Sequence, residues 1–204
     1  MVFTFKIILM AAASYIIGSI SPSIIIGKIK GIDIKKEGSG NAGATNAYRV
    51  LGKGAALVTL IFDVGKGFFS AWMGAEIGGP VVGYVSAIAV CIGHVFPCFY
   101  NFKGGKGVAT ALGAVLAVNW CVAVLALGVF AVVLAGLNIV SLGSIVAAAS
   151  LPIIAAIFEP GFKYYAIVIA LLIVIKHKDN IKRIIKKEEP KAFRNKEENN
   201  DKNI

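Results

Sequence analysis

Residues 38–49 contain an unusual density of groups that can bind an anion. The segment GSGNAGATNAYR has three glycines, two asparagines, a serine, a threonine and an arginine. Glycines let backbone N–H groups approach a bound anion without a Cβ in the way, and the planar guanidinium of Arg49 matches the geometry of a phosphate. A flexible linker is the alternative interpretation, although linkers seldom combine such amides with an arginine where a helix could begin.

A second segment rich in glycine and lysine, FKGGKGVAT at residues 102–110, leads into an apolar stretch. The N-terminus of a helix exposes unpaired N–H groups, and Lys103 and Lys106 beside it would attract an anion. The segment is not a Walker A loop, because Gly107 follows Lys106 where serine or threonine would bind magnesium. The alternative is an ordinary basic loop at the lipid headgroups.

A third polar segment, KHKDNIKR at residues 176–183, begins where the last apolar stretch ends. His177 and Asn180 are three residues apart and therefore share one face of a helix. Ile181 and the isoleucines after it could lie on the membrane surface, so a basic membrane anchor is the alternative interpretation.

Asp63, Lys66 and His94 are ionisable residues within apolar stretches. Asp63 and Lys66 are three residues apart, and each alone would cost about 2.5–3.5 kcal/mol in the middle of a membrane. We therefore expect them to pair with each other or to face a polar cavity, and we favour a structural pair. His94, alone on its helix, is interpreted as a structural hydrogen-bonding residue.

Several kinds of chemistry are excluded by missing motifs. Neither histidine is followed by aspartate at the His-x4-Asp spacing of common glycerolipid acyltransferases. The chain has no HExxH, no GxSxG and no aspartate-rich metal array, and its three cysteines form no CxxC pair, so we predict no metal site. The remaining anion-binding segments fit a reaction between two phosphorylated substrates in which one phosphate is the leaving group.

The elements that must position these segments are membrane helices. The 204 residues are 57% hydrophobic and 16% charged, whereas a soluble domain is about 25% charged. Residues 107–158 are 52 consecutive residues without a charged side chain, which a water-exposed surface would not tolerate. The net charge of +10 indicates an anionic partner. The sequence predicts an all-α, polytopic integral membrane protein.

Hydropathy predicts spans at residues 3–26, 55–74, 81–99, 142–158 and 162–175. Residues 108–137 could form one long helix or two short ones that break near Asn119. The basic loop at residues 28–53 is cytoplasmic by the positive-inside rule, and the basic tail stays inside only if residues 108–137 cross twice. We predict about seven helices, with the N-terminus outside and the C-terminus cytoplasmic. Residues 1–185 are predicted to form a single transmembrane catalytic domain, and residues 186–204 a polar, disordered tail.

Three segments together make the chain resemble the bacterial acyl-phosphate-dependent glycerol-3-phosphate acyltransferases, small membrane enzymes of phospholipid synthesis. They are GSGNAGATNAYRVLG at residues 38–52, GHVFPCFYNFKGGKGVAT at 93–110 and KHKDNIKRI at 176–184. The likeness covers the chain to about residue 189. Ala42 stands where the family usually has proline. Lys187 stands where it usually has glycine, which leaves either Glu188 or Glu189 for the family's structural glutamate.

The resemblance implies transfer of a fatty acyl group from acyl-phosphate to the sn-1 hydroxyl of glycerol 3-phosphate, giving lysophosphatidic acid and phosphate. It implies a multi-pass protein of the bacterial inner membrane with its site at the cytoplasmic face. The catalytic residues by this likeness are Ser39, Arg49, Lys106, His177 and Asn180. The residues that bind substrate or phosphate are Gly40, Asn41, Thr45, Asn46, Lys103, Gly104, Gly105 and Ser141.

The implied partners are acyl-phosphate, glycerol 3-phosphate and membrane lipids, with no cofactor, nucleic acid or obligate protein partner. The proton acceptor stays open between His177 and a substrate phosphate. A transporter or channel for phosphorylated metabolites is the alternative function. It would need a polar path across the membrane, and beyond Asp63 and Lys66 the predicted spans offer almost none.

Overall fold

The computed structural model of the chain describes residues 1–192. Within them the backbone forms ten α-helices and one short 3-10 helix, and no β-strand. The α-helices are α1 (Val2–Ser19), α2 (Pro22–Ile29), α3 (Ala44–Leu51), α4 (Lys53–Gly78), α5 (Pro80–Val95), α6 (Val108–Val118), α7 (Trp120–Leu137), α8 (Val140–Phe158), α9 (Lys163–Lys176) and α10 (Lys178–Ile185), and the 3-10 helix is Cys98–Tyr100.

Five helical stretches in the described residues are long and apolar enough to cross a membrane. They are Val2–Ile29, Lys53–Gly78, Pro80–Tyr100, Trp120–Leu137 and Val140–Phe158. Large apolar side chains such as Phe62 and Ile153 are exposed on the outer surface of these helices, as expected where lipid is the solvent. The predicted class, an all-helical integral membrane protein, is confirmed.

The first predicted span, residues 3–26, is not one continuous helix. α1 ends at Ser19, Ile20 is extended, and α2 begins at Pro22. Proline lacks an N–H, and its ring clashes with the carbonyl four residues earlier, so the helix is interrupted there. The carbonyl of Ile20 accepts a hydrogen bond from Lys66 Nζ at 2.7 Å. This bond satisfies a backbone group that the break leaves unpaired within an apolar segment.

The predicted break near Asn119 is confirmed. α6 ends at Val118 and α7 begins at Trp120. The Asn119 side chain caps α7, because its oxygen accepts hydrogen bonds from the N–H groups of Cys121 and Val122 at 3.0 and 3.3 Å. Residues 108–137 are therefore two helices rather than one long one.

Helix α6 lies in backbone contact with α4. A Cβ on Gly67 of α4 would lie 2.0 Å from the carbonyl oxygen of Thr110, and one on Gly113 of α6 would lie 1.9 Å from that of Val64. Small residues at such positions allow membrane helices to approach closely. The contact holds α6 against α4, together with the loop of residues 103–107 that precedes it.

Polar contacts mark two opposite ends of the bundle. At the first, the Glu159 end, Tyr84 Oη and Asn119 Nδ2 donate hydrogen bonds to the Glu159 carboxylate at 2.8 and 3.1 Å. The second, the site end, joins the four side chains of Lys106, Ser141, Asn180 and Glu189. These residues alternate along the chain, so α6, α7, α8 and α9 each run from one end to the other.

The segment after α10 folds back onto the site end. Its turn is a Schellman motif, in which Glu188 N donates to Arg183 O at 2.8 Å and Lys187 N donates to Ile184 O at 3.0 Å. Ala192 N then donates to Asn138 O at 2.7 Å. Residues 186–192, the beginning of the predicted disordered tail, thus pack against the bundle. Residues 193–204 of that prediction lie outside the described residues.

Candidate active site

A cavity of about 880 Å³ joins the loops of the site end to helices α6, α7 and α8. The polar part of its wall consists of Ser39, Asn41, Thr45, Asn46, Arg49, Asp63, His94, Lys106, Ser141, Ser144, His177, Asn180, Arg183 and Glu189. The apolar part includes Leu112, Val115, Ala123, Ala126, Leu127, Phe130, Ala147, Ala148 and Leu151. Nine of the thirteen predicted site residues line this cavity, so the three sequence segments meet at one place.

Asn46 holds the first glycine-rich loop in shape. The side chain is buried, and its oxygen accepts a hydrogen bond from Ser39 N at 2.8 Å. Its amide group donates to the carbonyls of Ile34 and Glu37 at 3.2 and 3.1 Å. The loop also needs left-handed backbone at Gly38, with φ +59°, which glycine adopts without strain. Asn46 therefore positions the loop, in addition to lining the cavity.

The groups that this loop presents to the cavity are short polar side chains and one cation. Ser39, Thr45 and Arg49 are exposed and Asn41 is half-buried, and all four line the cavity. Helix α3 begins after Gly43, and the first residues of the helix, Ala44 and Thr45, are part of the wall. Gly40, which has φ +66°, shapes the loop but is not in the wall.

In the second segment, residues 102–110, the cavity is lined by Lys106, Gly107 and the start of α6. Gly104 N and Gly105 N donate to the carbonyls of Val95 and His94, both at 3.1 Å. The two glycines therefore pack on the end of α5, and neither is in the cavity wall. The side chain of Lys103 is exposed and also lies outside the wall. Binding roles for Lys103, Gly104 and Gly105 stay predictions.

Glu189, which follows the third segment, connects several polar residues of the cavity wall. Its carboxylate accepts hydrogen bonds from Ser141 Oγ at 2.7 Å, Asn180 Nδ2 at 2.6 Å and Arg183 Nε at 2.6 Å. Lys106 Nζ donates to Asn180 Oδ1 at 2.5 Å. Glu189, rather than Glu188, is thus the glutamate of this network. Burial alone would raise the pKa of the Glu189 carboxyl, but these three hydrogen bonds hold it below its ordinary value.

Lys106 and His177 also have shifted pKa values. Burial lowers the pKa of Lys106 to about 8, Glu189 opposes the shift, and the charges of Arg183 and Arg49 add to it. Burial also lowers the pKa of His177 to about 4. Nδ1 of His177 lies 2.8 Å from the carbonyl oxygen of Ile173. A carbonyl only accepts, so Nδ1 carries the proton and Nε2 is the unprotonated nitrogen at neutral pH.

Comparison with known proteins identifies the family of the chain. The family model described as glycerol-3-phosphate acyltransferase matches residues 8–187. The chain belongs to the glycerol-3-phosphate acyltransferase family. Curated members named glycerol-3-phosphate acyltransferase from Shigella flexneri and Escherichia coli (strain K12 / DH10B) are 42% identical to it over 188 residues, which cover 90% of this chain and 91% of each relative.

Solved structures of one family relative have the same fold. They are crystal structures of PlsY (YgiH), an integral membrane glycerol 3-phosphate acyltransferase, in a glycerol 3-phosphate form and a lysophosphatidic acid form. Their TM-scores are 0.87 and 0.84 at 36% identity, and each match covers 91% of this chain and 94% of the other.

In this member of the acyltransferase family, five polar wall residues were not among the predicted site residues: Asp63, His94, Ser144, Arg183 and Glu189. Arg183 and Glu189 lay within or beside the third segment, where the run of charges resembled an anchor or a tail. Asp63 does pair with Lys66, at 2.8 Å, as expected. Asp63 also reaches the cavity, as His94 does. The two residues lie on α4 and α5, so their proximity depends on the packing of these helices and cannot be read from the sequence. Within residues 1–192, no group of three His, Cys, Asp or Glu side chains could hold a metal.

Proposed function

We propose that this enzyme uses acyl-phosphate as the donor and transfers its acyl group to the sn-1 hydroxyl of glycerol 3-phosphate. The products are lysophosphatidic acid and inorganic phosphate. Acylation of glycerol 3-phosphate follows from the family to which the chain belongs. We infer the acyl-phosphate donor from the make-up of the cavity.

The observation that carries the proposal is a single cavity with a cationic part and an apolar part. Lys106, Arg49 and Arg183 line one part, and the side chains of α6, α7 and α8 line the other. Leu151 is ten residues beyond Ser141 on α8, which places it about 15 Å further along the helix axis. An amphiphile with a phosphate head and a fatty acyl chain fits both parts at once.

The cationic part has enough donors for two phosphates. The first turn of α3 and the first turn of α6 both line the cavity. The start of each helix presents free N–H groups and a partial positive charge to an anion. Arg49 belongs to α3 and Lys106 immediately precedes α6, so each helix start has its own cation. We assign one phosphate to each, without specifying which.

The reaction needs little covalent chemistry from the protein. The oxygen of the sn-1 hydroxyl attacks the acyl carbonyl carbon, a C–O ester bond forms, and the C–O bond to phosphate breaks with its electron pair leaving on the phosphate. Acyl-phosphate is an activated mixed anhydride, so no acyl-enzyme is required. The catalytic contribution of Ser39, Arg49, Lys106, His177 and Asn180 would be to orient the two substrates and to stabilise developing negative charge.

We infer that a substrate phosphate, rather than His177, takes the hydroxyl proton. A histidine whose pKa is about 4 is a weaker base than a phosphate dianion, whose pKa is about 6. Nε2 of His177 would instead accept a hydrogen bond from the hydroxyl and orient it. His177→Gln, which keeps an acceptor, should then retain more turnover than His177→Ala, and equal inactivation of both variants would favour His177 as the base.

The topology proposed here has seven crossings, with the N-terminus outside and the site at the cytoplasmic face of the bacterial inner membrane. Residues 1–185 would form the transmembrane catalytic domain. The alternation of α6 to α9 between the Glu159 end and the site end supports two crossings by residues 108–137. α6 has 11 residues, about 16 Å of helix, so the bilayer would thin locally around it.

Arg49→Ala and Lys106→Ala test the phosphate assignment. Loss of one such charge-stabilising donor should lower acyl-phosphate-dependent kcat/KM about 100- to 1000-fold. Lys36→Ala is the matched control, because Lys36 is an exposed lysine outside the cavity, and it should retain the wild-type rate. Near-native rates in both site variants would contradict the proposal. Uptake of labelled glycerol 3-phosphate into sealed vesicles without any acyl donor would instead support the transporter alternative.

A further inference from the structure

A buried ionic cluster lies between α4 and α5 and reaches the cavity wall. Asp63 Oδ1 lies 2.8 Å from Lys66 Nζ and 3.3 Å from His94 Nδ1. Asp63 is 1% exposed and His94 is 5% exposed, and both line the cavity. The reaction described above uses neither residue. The positions of their contacts indicate what they do.

His94 contacts the residue immediately before Lys106. The carbonyl oxygen of His94 accepts a hydrogen bond from Gly105 N at 3.1 Å. The His94 ring also lies flush against Gly105, since a Cβ there would be 2.1 Å from Nε2. Both the backbone and the side chain of His94 therefore fix Gly105, and through it the point from which the Lys106 side chain leaves the loop.

Asp63 fixes the ring of His94. The Asp63 carboxylate lies 3.3 Å from His94 Nδ1, an electrostatic contact rather than an aligned hydrogen bond, and this contact restrains rotation of the ring. Lys66 neutralises the carboxylate, and Lys66 itself is held by the carbonyl of Ile20 at 2.7 Å. The negative charge of Asp63 is thus balanced by Lys66 inside the protein and does not repel anions in the cavity. The cluster connects Ile20, α4 and α5 to the loop of Lys106.

We propose that Asp63 and His94 are positioning residues for Lys106. They hold the loop of residues 103–107 so that the Lys106 ammonium stays between Asn180 and the incoming phosphate. Asp63 acts on His94, and His94 acts on Gly105, so both residues act on Lys106 through the loop. This inference rests on the phosphate-binding role of Lys106 proposed above. A displacement of about 1 Å in a positioned group can cost about 100-fold in rate.

A double-mutant cycle tests the inference. His94→Ala and Asp63→Asn should each lower kcat/KM for acyl-phosphate by about 10- to 100-fold. In a Lys106→Ala background, the same changes should lower kcat/KM by less than about threefold further, because the effects of residues that act as a unit are not additive. The split of the loss between KM and kcat should match that of Lys106→Ala.

The control is Ser86→Ala, a change at a buried serine eight residues before His94 on α5 that does not line the cavity. It should leave kcat/KM near wild type. If His94→Ala does not yield folded protein, by thermal unfolding in detergent, then His94→Gln and Asp63→Asn carry the cycle. Equal fold-losses with and without Lys106, or near-native activity of folded His94 and Asp63 variants, would overturn the inference. Near-native activity of Lys106→Ala alone would instead contradict the proposed function.

Discussion

At the scale of single residues, Lys106 connects the parts of the site. It follows the loop that rests on His94, donates to Asn180, and precedes the first turn of α6. Burial lowers its pKa to about 8, so it is protonated at neutral pH and loses its charge just above. A lysine on the surface would keep its charge about two pH units further.

This shift predicts a pH dependence of the free enzyme. kcat/KM should fall above about pH 8, because the deprotonated Lys106 no longer attracts phosphate. In Lys106→Arg, whose guanidinium does not deprotonate in this range, kcat/KM should be lower but should not fall above pH 8. Lys36→Arg is the control and should keep the wild-type profile. An unchanged decline in Lys106→Arg would assign the titration to another group.

The sequence identified many wall residues and missed others for a physical reason. Ser39, Arg49 and Lys106 stand out because glycines and amides surround them in short segments. Asp63 and His94 are 31 positions apart, on helices whose apolar surroundings favour a structural interpretation. They come together only through tertiary packing. Asn46 was predicted as a ligand for phosphate, and its buried hydrogen bonds to the loop show that it also has a structural role.

At the scale of elements, two helix breaks differ in how well the sequence predicts them. The break before α7 was predictable, because Asn119 is a polar capping residue inside an apolar run. The break between α1 and α2 was not predicted, because hydropathy stays high through Ile20 and gives no weight to the missing N–H of Pro22. Lys66 compensates for that break from another helix, a contact that no local pattern reveals.

The Schellman turn after α10 yields a stability prediction. Lys187 adopts φ +59° at the position where this motif prefers glycine. Lys187→Gly should raise the free energy of unfolding by about 0.5–1 kcal/mol, since the left-handed strain exceeds the added chain entropy. The matched change Lys186→Gly, one residue earlier with φ −80°, should lower it. The measurement is the midpoint of thermal unfolding in detergent, and a lower midpoint for Lys187→Gly would contradict the turn.

At the scale of the whole molecule, the proposed topology has a direct labelling test. In a protein whose three cysteines are replaced by alanine, Trp120→Cys should react with a membrane-impermeant maleimide on intact cells, because that end of α7 is proposed to be outside. Leu137→Cys, at the other end of α7, should react only after the cells are permeabilised. Both side chains are exposed, at 66% and 56%. A reversed pattern would contradict the proposed topology.

The apolar part of the cavity predicts a chain-length effect. Ala126 lines it twelve residues from the end of α7 at Asn138, about 18 Å from that turn. Ala126→Phe should therefore reduce turnover of palmitoyl-phosphate much more than that of octanoyl-phosphate. Leu125→Phe, at the neighbouring exposed position outside the wall, is the control and should affect neither donor. An equal loss with both donors would place the acyl chain elsewhere.

Acyl transfer from acyl-phosphate is tested most directly by measuring both products in one reaction. Purified protein is supplied with palmitoyl-phosphate and labelled glycerol 3-phosphate, and both inorganic phosphate and labelled lipid are followed. We expect equal amounts of phosphate and lysophosphatidic acid, and no lipid when palmitoyl-CoA replaces palmitoyl-phosphate. Formation of labelled lipid from palmitoyl-CoA, or none from palmitoyl-phosphate by active wild-type protein, would contradict the proposed donor and the two-phosphate site.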